Sequence, residues 1–493
     1  MSCNGGAVIQ LVSTGVPDAV LTGSPSTTFW RFVHKMYTNF AMEAQQLDFS
    51  SGTAQFGAAP KCNLDRIGDI VYWMYFVADL PGIGLGYPKA VPTKILSNDD
   101  DVAHDPVEPY WTHDVGHAML VNSAFYIGGQ PVDTIQSEFM FIWEELSGHP
   151  GKRLVEMTGA YKSEVALQIA SRQPRRLYVP LPFWFTASSG SALPIVSLQF
   201  HTVAVSVQIR AYQDLLRLTW KAMNDVAYGY VLSDVQVRAL YRPSTTSAVQ
   251  PLSDLSALSN NSLAARIEVC YVYLDETERA EFASGAFEQL MVEHQYTTVA
   301  MDQSVSGTNT YGSDKKVSVD MTFNHPISEL FWVARRRICE KFSLVTTPEF
   351  NNWFDFSGPA DVITTMPIDP VKDATVRLNG AYRMNITEGR YFRLVQPWQH
   401  HSNIPESFVY SYSFSLVPEM SQPSGSCNFS RIDNTTLDLT IDGRMFLGPR
   451  VTLASAPTVL DPSANSSLTL LVFATDWNVL RFKFGLAGLR FSS

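Results

Sequence analysis

Apolar and polar residues alternate with a period of two at many places along this chain. Val203, Val205, Val207 and Ile209 fall on one face of an extended segment, and Ala204, Ser206, Gln208 and Arg210 on the other, which is the pattern of a half-buried strand. The same period marks 267–274, 317–323, 436–442 and 479–484, where β-branched and aromatic residues dominate. Stretches rich in Gly, Pro, Ser and Asn at 79–92, 186–194, 421–426 and 461–467 read as the turns and loops between strands. Strands in both halves, punctuated in this way, predict an all-β chain built of antiparallel sandwiches rather than a parallel sheet.

The helical period is sparse. Over 133–146, Ile135, Phe139, Ile142, Trp143 and Leu146 recur at i, i+4, i+7, i+8 and i+11, which predicts an amphipathic helix capped by Asp133. A second helix is expected over 275–295, where Phe282, Phe287, Leu290 and Met291 lie close to one face. It follows a strong strand signal and reads as the link between two β-domains, fixing their relative orientation. Length agrees, since 493 residues exceed what one core supports and two halves of roughly 200–280 residues fit. The expected division is an N-terminal arm over 1–25, a first β-domain over 26–283, a connector over 284–300 and a second β-domain over 301–493.

A chain that is 45% hydrophobic, 12% aromatic and 17% charged can bury large cores. Its net charge of −11 argues against coating nucleic acid, which requires clustered Lys and Arg. The one dense basic run, Arg335–Arg337, reads as a solvated strand end or a subunit contact. Five widely spaced cysteines with no CxxC pair signal neither a disulfide framework nor a zinc site, and suit a reducing compartment. The N-terminus lacks the pattern of a secretory signal, and no uncharged apolar stretch reaches the roughly 18–20 residues that span a bilayer. Synthesis in the cytosol is expected, with any membrane contact peripheral or indirect.

Several segments imitate catalytic motifs and fail on detail. His113 and His117 have the i, i+4 spacing of a zinc protease helix, but Asp114 is a methylene short for the general base and Gly116 weakens a helix there. Gly82, Gly84 and Gly86 run into Tyr87–Pro88 where a dinucleotide-binding helix should begin. Gly148, Gly151 and Lys152 are too closely spaced for a phosphate loop, and Arg153 stands where a Ser or Thr would hold magnesium. Ser188, Ser189 and Ser191 around Gly190 form no nucleophile elbow. The pair His400–His401 reads as a loop feature. No catalytic residue, cofactor-binding residue or metal ligand is assigned.

The blocks TFWRFVHKMYTNFAME (28–43) and PSGSCNFSRIDN (423–434) are the most distinctive. With GGAVIQLVSTGVPDAVLTG (5–23), the segments at 110–147 and 178–210, YVYLDETERAEF (271–282) and LVQPWQHHSNIPESFVYSYSFSL (394–416), they occur in an order that resembles the major capsid proteins of nucleocytoplasmic large DNA viruses, nearest the algal and amoebal virus groups. The resemblance implies two tandem eight-stranded jelly-roll sandwiches with few short helices. It implies a homotrimer of nearly hexagonal outline tiling an icosahedral shell over an internal membrane, in a virion assembled in the host cytoplasm. Partners would be further copies of the chain, neighbouring capsomers and minor capsid proteins, without direct nucleic-acid contact. The arm 1–25 is expected to cross to a neighbour or line the inner face.

Two other readings stay open at this stage. One is a minor capsid or scaffold paralogue of the same fold, and the other a carbohydrate-binding or carbohydrate-hydrolysing jelly roll, which ten tryptophans would suit. Five sequons occur, at Asn260, Asn385, Asn428, Asn434 and Asn465. Asn260, Asn465 and Asn385 are the candidate glycosylation sites, whereas Asn428 and Asn434 lie within a block carrying the resemblance, where burial is expected.

Overall fold

The computed structural model describes residues 5–25, 28–30, 34, 36–52, 54–83, 109–148, 151–152, 154–218, 263–301, 314–340, 351–358, 367–385, 387–446, 450–451, 459–460 and 467–491. Two compact units are present, Met1–Phe40 and Ala41–Ser493. The first carries a helix, α1 (Gly5–Val12), whose Val8, Ile9, Leu11 and Val12 are all exposed.

Among the described residues, the second unit holds two sets of eight strands, besides the short pairs Pro109–Trp111 with Leu216–Leu218 and Arg450–Val451 with Val459–Leu460. The first set is β1 (Phe40–Leu47), β2 (Lys61–Asn63), β3 (Ile70–Leu80), β4 (Leu120–Ile127), β5 (Gln130–Gln136), β6 (Arg175–Pro180), β7 (Val203–Ile209) and β8 (Ala264–Leu274). The second is β9 (Phe287–Met301), β10 (Lys315–Asp320), β11 (Pro326–Arg336), β12 (Val371–Leu378), β13 (Ala381–Tyr382), β14 (Tyr410–Ser413), β15 (Thr435–Ile441) and β16 (Leu468–Lys483). The first set forms the sheets β1-β8-β3-β6 and β2-β7-β4-β5. The second forms β9-β16-β11-β14, extended by Cys427–Asn428 and Leu486–Leu489, and β10-β15-β12-β13. Adding eight to each strand of the first pair of sheets reproduces the second pair, so the two halves share one topology. This is the double jelly roll, with each four-stranded sheet facing its mate as an antiparallel sandwich.

The strands at 203–209, 267–274, 317–320 and 436–441 lie where the period of two places them. The expected connector does not. Asp275 caps a short helix by accepting from the backbone N–H of Thr277 and Glu278, but that helix ends at Ser284, and 287–301 is β9, paired with β16 along all fifteen residues. Leu290, expected on a buried helical face, is 38% exposed on this strand. The segment 284–300 is therefore mostly an edge strand of the second sandwich. Among the described residues, no helix is long and apolar enough to cross a membrane.

Candidate functional site between the two sandwiches

Strands β11 and β16 explain where the halves meet. On β11, Leu330, Trp332 and Ala334 enter the core of the second sandwich, while Phe331 and Val333 join the core that extends into the first. On β16, Leu470, Val472 and Ala474 face the second core, and Leu471 and Phe473 the shared one. A sheet covered on both faces needs apolar residues at every position, which is why these strands read as continuous hydrophobic runs instead of alternating.

The element that covers the outer face is α2 (Ser137–Ser147), contributed by the first sandwich. Ser137, Glu138, Phe139, Met140, Phe141, Ile142 and Leu146 are buried. A helix buried nearly all round sits between layers rather than on a surface. Phe139 packs against Phe331 and Phe473 with centroids 5.9 and 6.1 Å apart, and Phe141 stacks on Phe354 at 4.4 Å. The helix begins at Ser137, so Asp133 does not cap it. Asp133 instead lies on β5, buried, and accepts hydrogen bonds from the backbone N–H of His294 at 3.1 Å and from its ring Nδ1 at 2.9 Å. One side chain thereby joins β5 of the first sandwich to β9 of the second.

The basic run is also inside. Arg335 and Arg336 are 5% and 2% exposed, and only Arg337 is at the surface, contrary to a solvated strand end. Arg335 donates from Nη1 to Glu138 Oε1 at 2.7 Å and to the Trp353 carbonyl at 3.1 Å, and from Nη2 to Glu340 Oε1 at 3.2 Å. Arg210 of β7's end approaches Glu138 at 3.6 Å, and its guanidinium stacks 3.6 Å from the Trp353 ring centroid. Burial opposes charge on Glu138, but the two guanidinium groups outweigh it and hold its carboxyl below the usual range. Nearby, Thr112 Oγ1 donates to the Asn351 carbonyl, Asn351 Nδ2 donates to the carbonyls of Gln213 and Leu216, and Trp353 Nε1 donates to that of Asp214. The seam is apolar in the middle and joined by ion pairs and hydrogen bonds at one end.

A latch closes the other end. His401 follows the helix Gln396–His400 and its side chain is buried, with Nε2 2.5 Å from Glu329 Oε1 and Nδ1 3.1 Å from Glu419 Oε1. His401 lies in the bend after that helix, and its side chain makes an inter-element ion pair that the loop reading did not include. From it, the Asn403 N–H donates to the Leu146 carbonyl and the Ser407 N–H to Glu145 Oε2, both at 3.0 Å on α2. Burial pushes His401 down, but the Glu329 and Glu419 carboxylates outweigh it and raise it to about 9; burial likewise pushes Glu329 up. A histidine whose folded pKa lies above its unfolded value stabilises fully below about pH 6.5 and loses that contribution as pH rises through about 9. With His400 as the other nearby base, wild type is expected to lose on the order of 2 kcal/mol more than the double change His401→Gln with Glu329→Gln, which removes both buried titrating groups, between pH 6 and pH 10 in denaturant titrations. Parallel pH profiles for the two proteins would remove the latch from the account.

The imitated motifs resolve plainly. Asp114, in a left-handed conformation (φ 49°), precedes the short helix Val115–Met119 and its Oδ2 lies 2.7 Å from His117 Nδ1. Burial opposes both charges, but each partner outweighs it, raising His117 and lowering Asp114. Glu144 Oε2 of α2 is 3.5 Å from the same nitrogen, and burial pushes its carboxyl up to about 7. Gly116 stays unsubstituted because a Cβ there would meet the Thr158 backbone at 2.9 Å. Ser188 and Ser191 form a capping box on a 3-10 turn. Gly84, Gly86, Arg153, Asn260 and Asn465 lie outside the described residues. Asn385 is exposed, and so are Asn428 and Asn434, against the burial expected of the last two.

The period of α2 is legible in the sequence, whereas nothing local joins Asp133, Glu138, His294, Arg335 and His401 into one seam. The available signal was the unbroken apolar run at 470–474, which marks a sheet covered on both sides.

Comparison with known proteins places this architecture. A model described as major capsid protein N-terminus matches residues 28–275, and one described as large eukaryotic DNA virus major capsid protein matches 278–488. The major capsid protein of Chrysochromulina ericina virus is 26% identical, covering 99% of this chain and 100% of that one, and that of Pyramimonas orientalis virus is 28% identical with the same coverage. Among solved structures, a chain of the PBCV-1 virus capsid superposes with a TM-score of 0.66 at 25% identity, covering 94% of this chain and 100% of that one.

Proposed function

Since the chain belongs to the major capsid protein family of large eukaryotic DNA viruses, with a structural and non-enzymatic role, we propose that it works as a homotrimer tiling an icosahedral shell. The observation that carries this reading is the repeated strand order joined by a buried seam. Three copies of a two-sandwich chain present six similar bodies, which approximates six-fold packing with only three-fold symmetry. Such packing requires the two sandwiches of one chain to keep a fixed angle. The doubly covered sheet, the aromatic contacts of α2 and the buried ion pairs supply that rigidity. In this reading the boundary between the sandwiches is the segment 275–286, which separates β8 from β9. Neighbouring capsomers and minor capsid proteins are the expected partners, and assembly in the host cytoplasm is the expected setting.

The purified chain is expected to run as a homotrimer of three times 54.9 kDa in multi-angle light scattering. A folded protein that stays monomeric at micromolar concentration would count against the trimer.

A further inference from the structure

A second buried cluster has no part in the seam as described. Glu293 on β9 and Asp476 on β16 are direct cross-strand partners, and His325 stands just before β11, whose Ile327 pairs with the same Asp476. The three side chains bring one ring nitrogen and two carboxylate oxygens within 4.8 Å of one another. Asp476 is 0%, His325 8% and Glu293 9% exposed.

Like charges directly opposite on a sheet repel, and burying them uncompensated costs more. The hydrogen bonds present satisfy half of each acid. Glu293 Oε2 accepts from Asn478 Nδ2 at 3.0 Å and Asp476 Oδ1 from Gln295 Nε2 at 2.9 Å. Glu293 Oε1 and Asp476 Oδ2 are buried with no hydrogen-bond partner. Burial pushes the two carboxyls up to about 7 and about 8, so near neutral pH the pair takes up either protons or a cation. The imidazole favours the cation. Two acids sharing protons need no third group, whereas His325, which burial pushes down, offers a neutral nitrogen lone pair beside two carboxylates.

We propose that Glu293, His325 and Asp476 form a binding site for a divalent first-row metal ion of the zinc or manganese class, clamping β9, β16 and β11 together. Two carboxylates balance the charge of the ion, and a neutral imidazole with one or more waters completes the coordination. The backbone N–H of His325 donates to Ser430 Oγ at 2.8 Å, which anchors the residue independently of its ring.

The test uses the full-length chain, stripped with chelator and dialysed against Zn2+ or Mn2+ at pH 7.5, with metal per chain measured by elemental analysis. One equivalent is expected, with an apparent melting temperature about 5 °C above that of the chelated protein. Asp476→Asn and Glu293→Gln should each reduce the bound metal at least tenfold. His325→Asn, which keeps a side chain tolerant of the φ of 67° found there, should also weaken binding at least tenfold. Glu144→Gln, in the Asp114–His117–Glu144 group, should leave the stoichiometry unchanged. Failure of either metal to bind, binding unmoved by Asp476→Asn, or binding lost in Glu144→Gln overturns the proposal. If none of the three variants folds, hydrogen exchange on wild type decides. Zn2+ should then protect amides of 287–301 and 468–483, and protection confined to 114–147 would place the ion elsewhere.

Discussion

Arg335→Met is expected to cost about 3–5 kcal/mol of folding stability, which is the usual consequence of removing one partner from a buried ion pair. Of its two guanidinium partners Glu138 would keep only Arg210, at 3.6 Å, beside the Ser137 hydroxyl that donates to its Oε2, and Glu340 and the Trp353 carbonyl would each lose a donor. The cost comes chiefly from the stranded acid rather than from the lost attraction, so it should shrink when the acid is neutralised. Arg335→Met combined with Glu138→Gln is therefore expected to be less destabilised than the sum of the two single changes by more than about 1 kcal/mol. Urea unfolding of the four proteins gives the coupling directly. An Arg335→Met protein within about 0.5 kcal/mol of wild type, the range of ordinary surface changes, would show that the ionic end of the seam contributes nothing.

Phe139→Ala is the second large effect, at about 3–5 kcal/mol for truncating a buried Phe. Its ring touches both sandwiches, lying 4.5 Å from the His294 ring and about as close to Phe331 and Phe473 as to Trp143 of its own helix. A cavity there loosens the angle between sandwiches as well as lowering stability, so trimer yield should fall at temperatures where the monomer remains folded. The paired change Phe282→Ala and Leu290→Ala makes the contrast. Leu290 is 38% exposed and Phe282 half-buried, so the pair should affect trimer yield less than Phe139→Ala alone. Equal yields from the two would return the orienting role to the segment after residue 275.

Much of this protein is written locally. The period of two at 203–209, 267–274 and 436–441 comes from strands with one face in a core, and the family blocks between 28 and 488 fix the topology by likeness. The helix at 137–147 was visible in Phe139, Ile142, Trp143 and Leu146 because its period survives even though most of its other residues are buried too. The strand 287–301 was not visible. Its first half, FEQLMVEHQ, is rich in good helix formers, and only pairing with β16 along its full length makes it extended.

The seam lies further from sequence still. Glu138 and Arg335 are 197 positions apart, and Asp133 and His294 are 161. A periodicity compares residues within one segment, so it reports which face of an element is buried and not what buries it. Arg335–Arg337 has the composition of a solvated patch, and His400–His401 that of a loop. Arg335 and His401 nevertheless enter interior ion pairs, because the fold brings carboxylates against them where leaving either charge alone would cost more than pairing it. The strands at 203–209, 267–274 and 436–441, the intervening helix and the family are legible in the residues alone. Tertiary packing alone decided which charges meet, because the energy of a buried ion pair depends on the distance and desolvation that two remote segments create together.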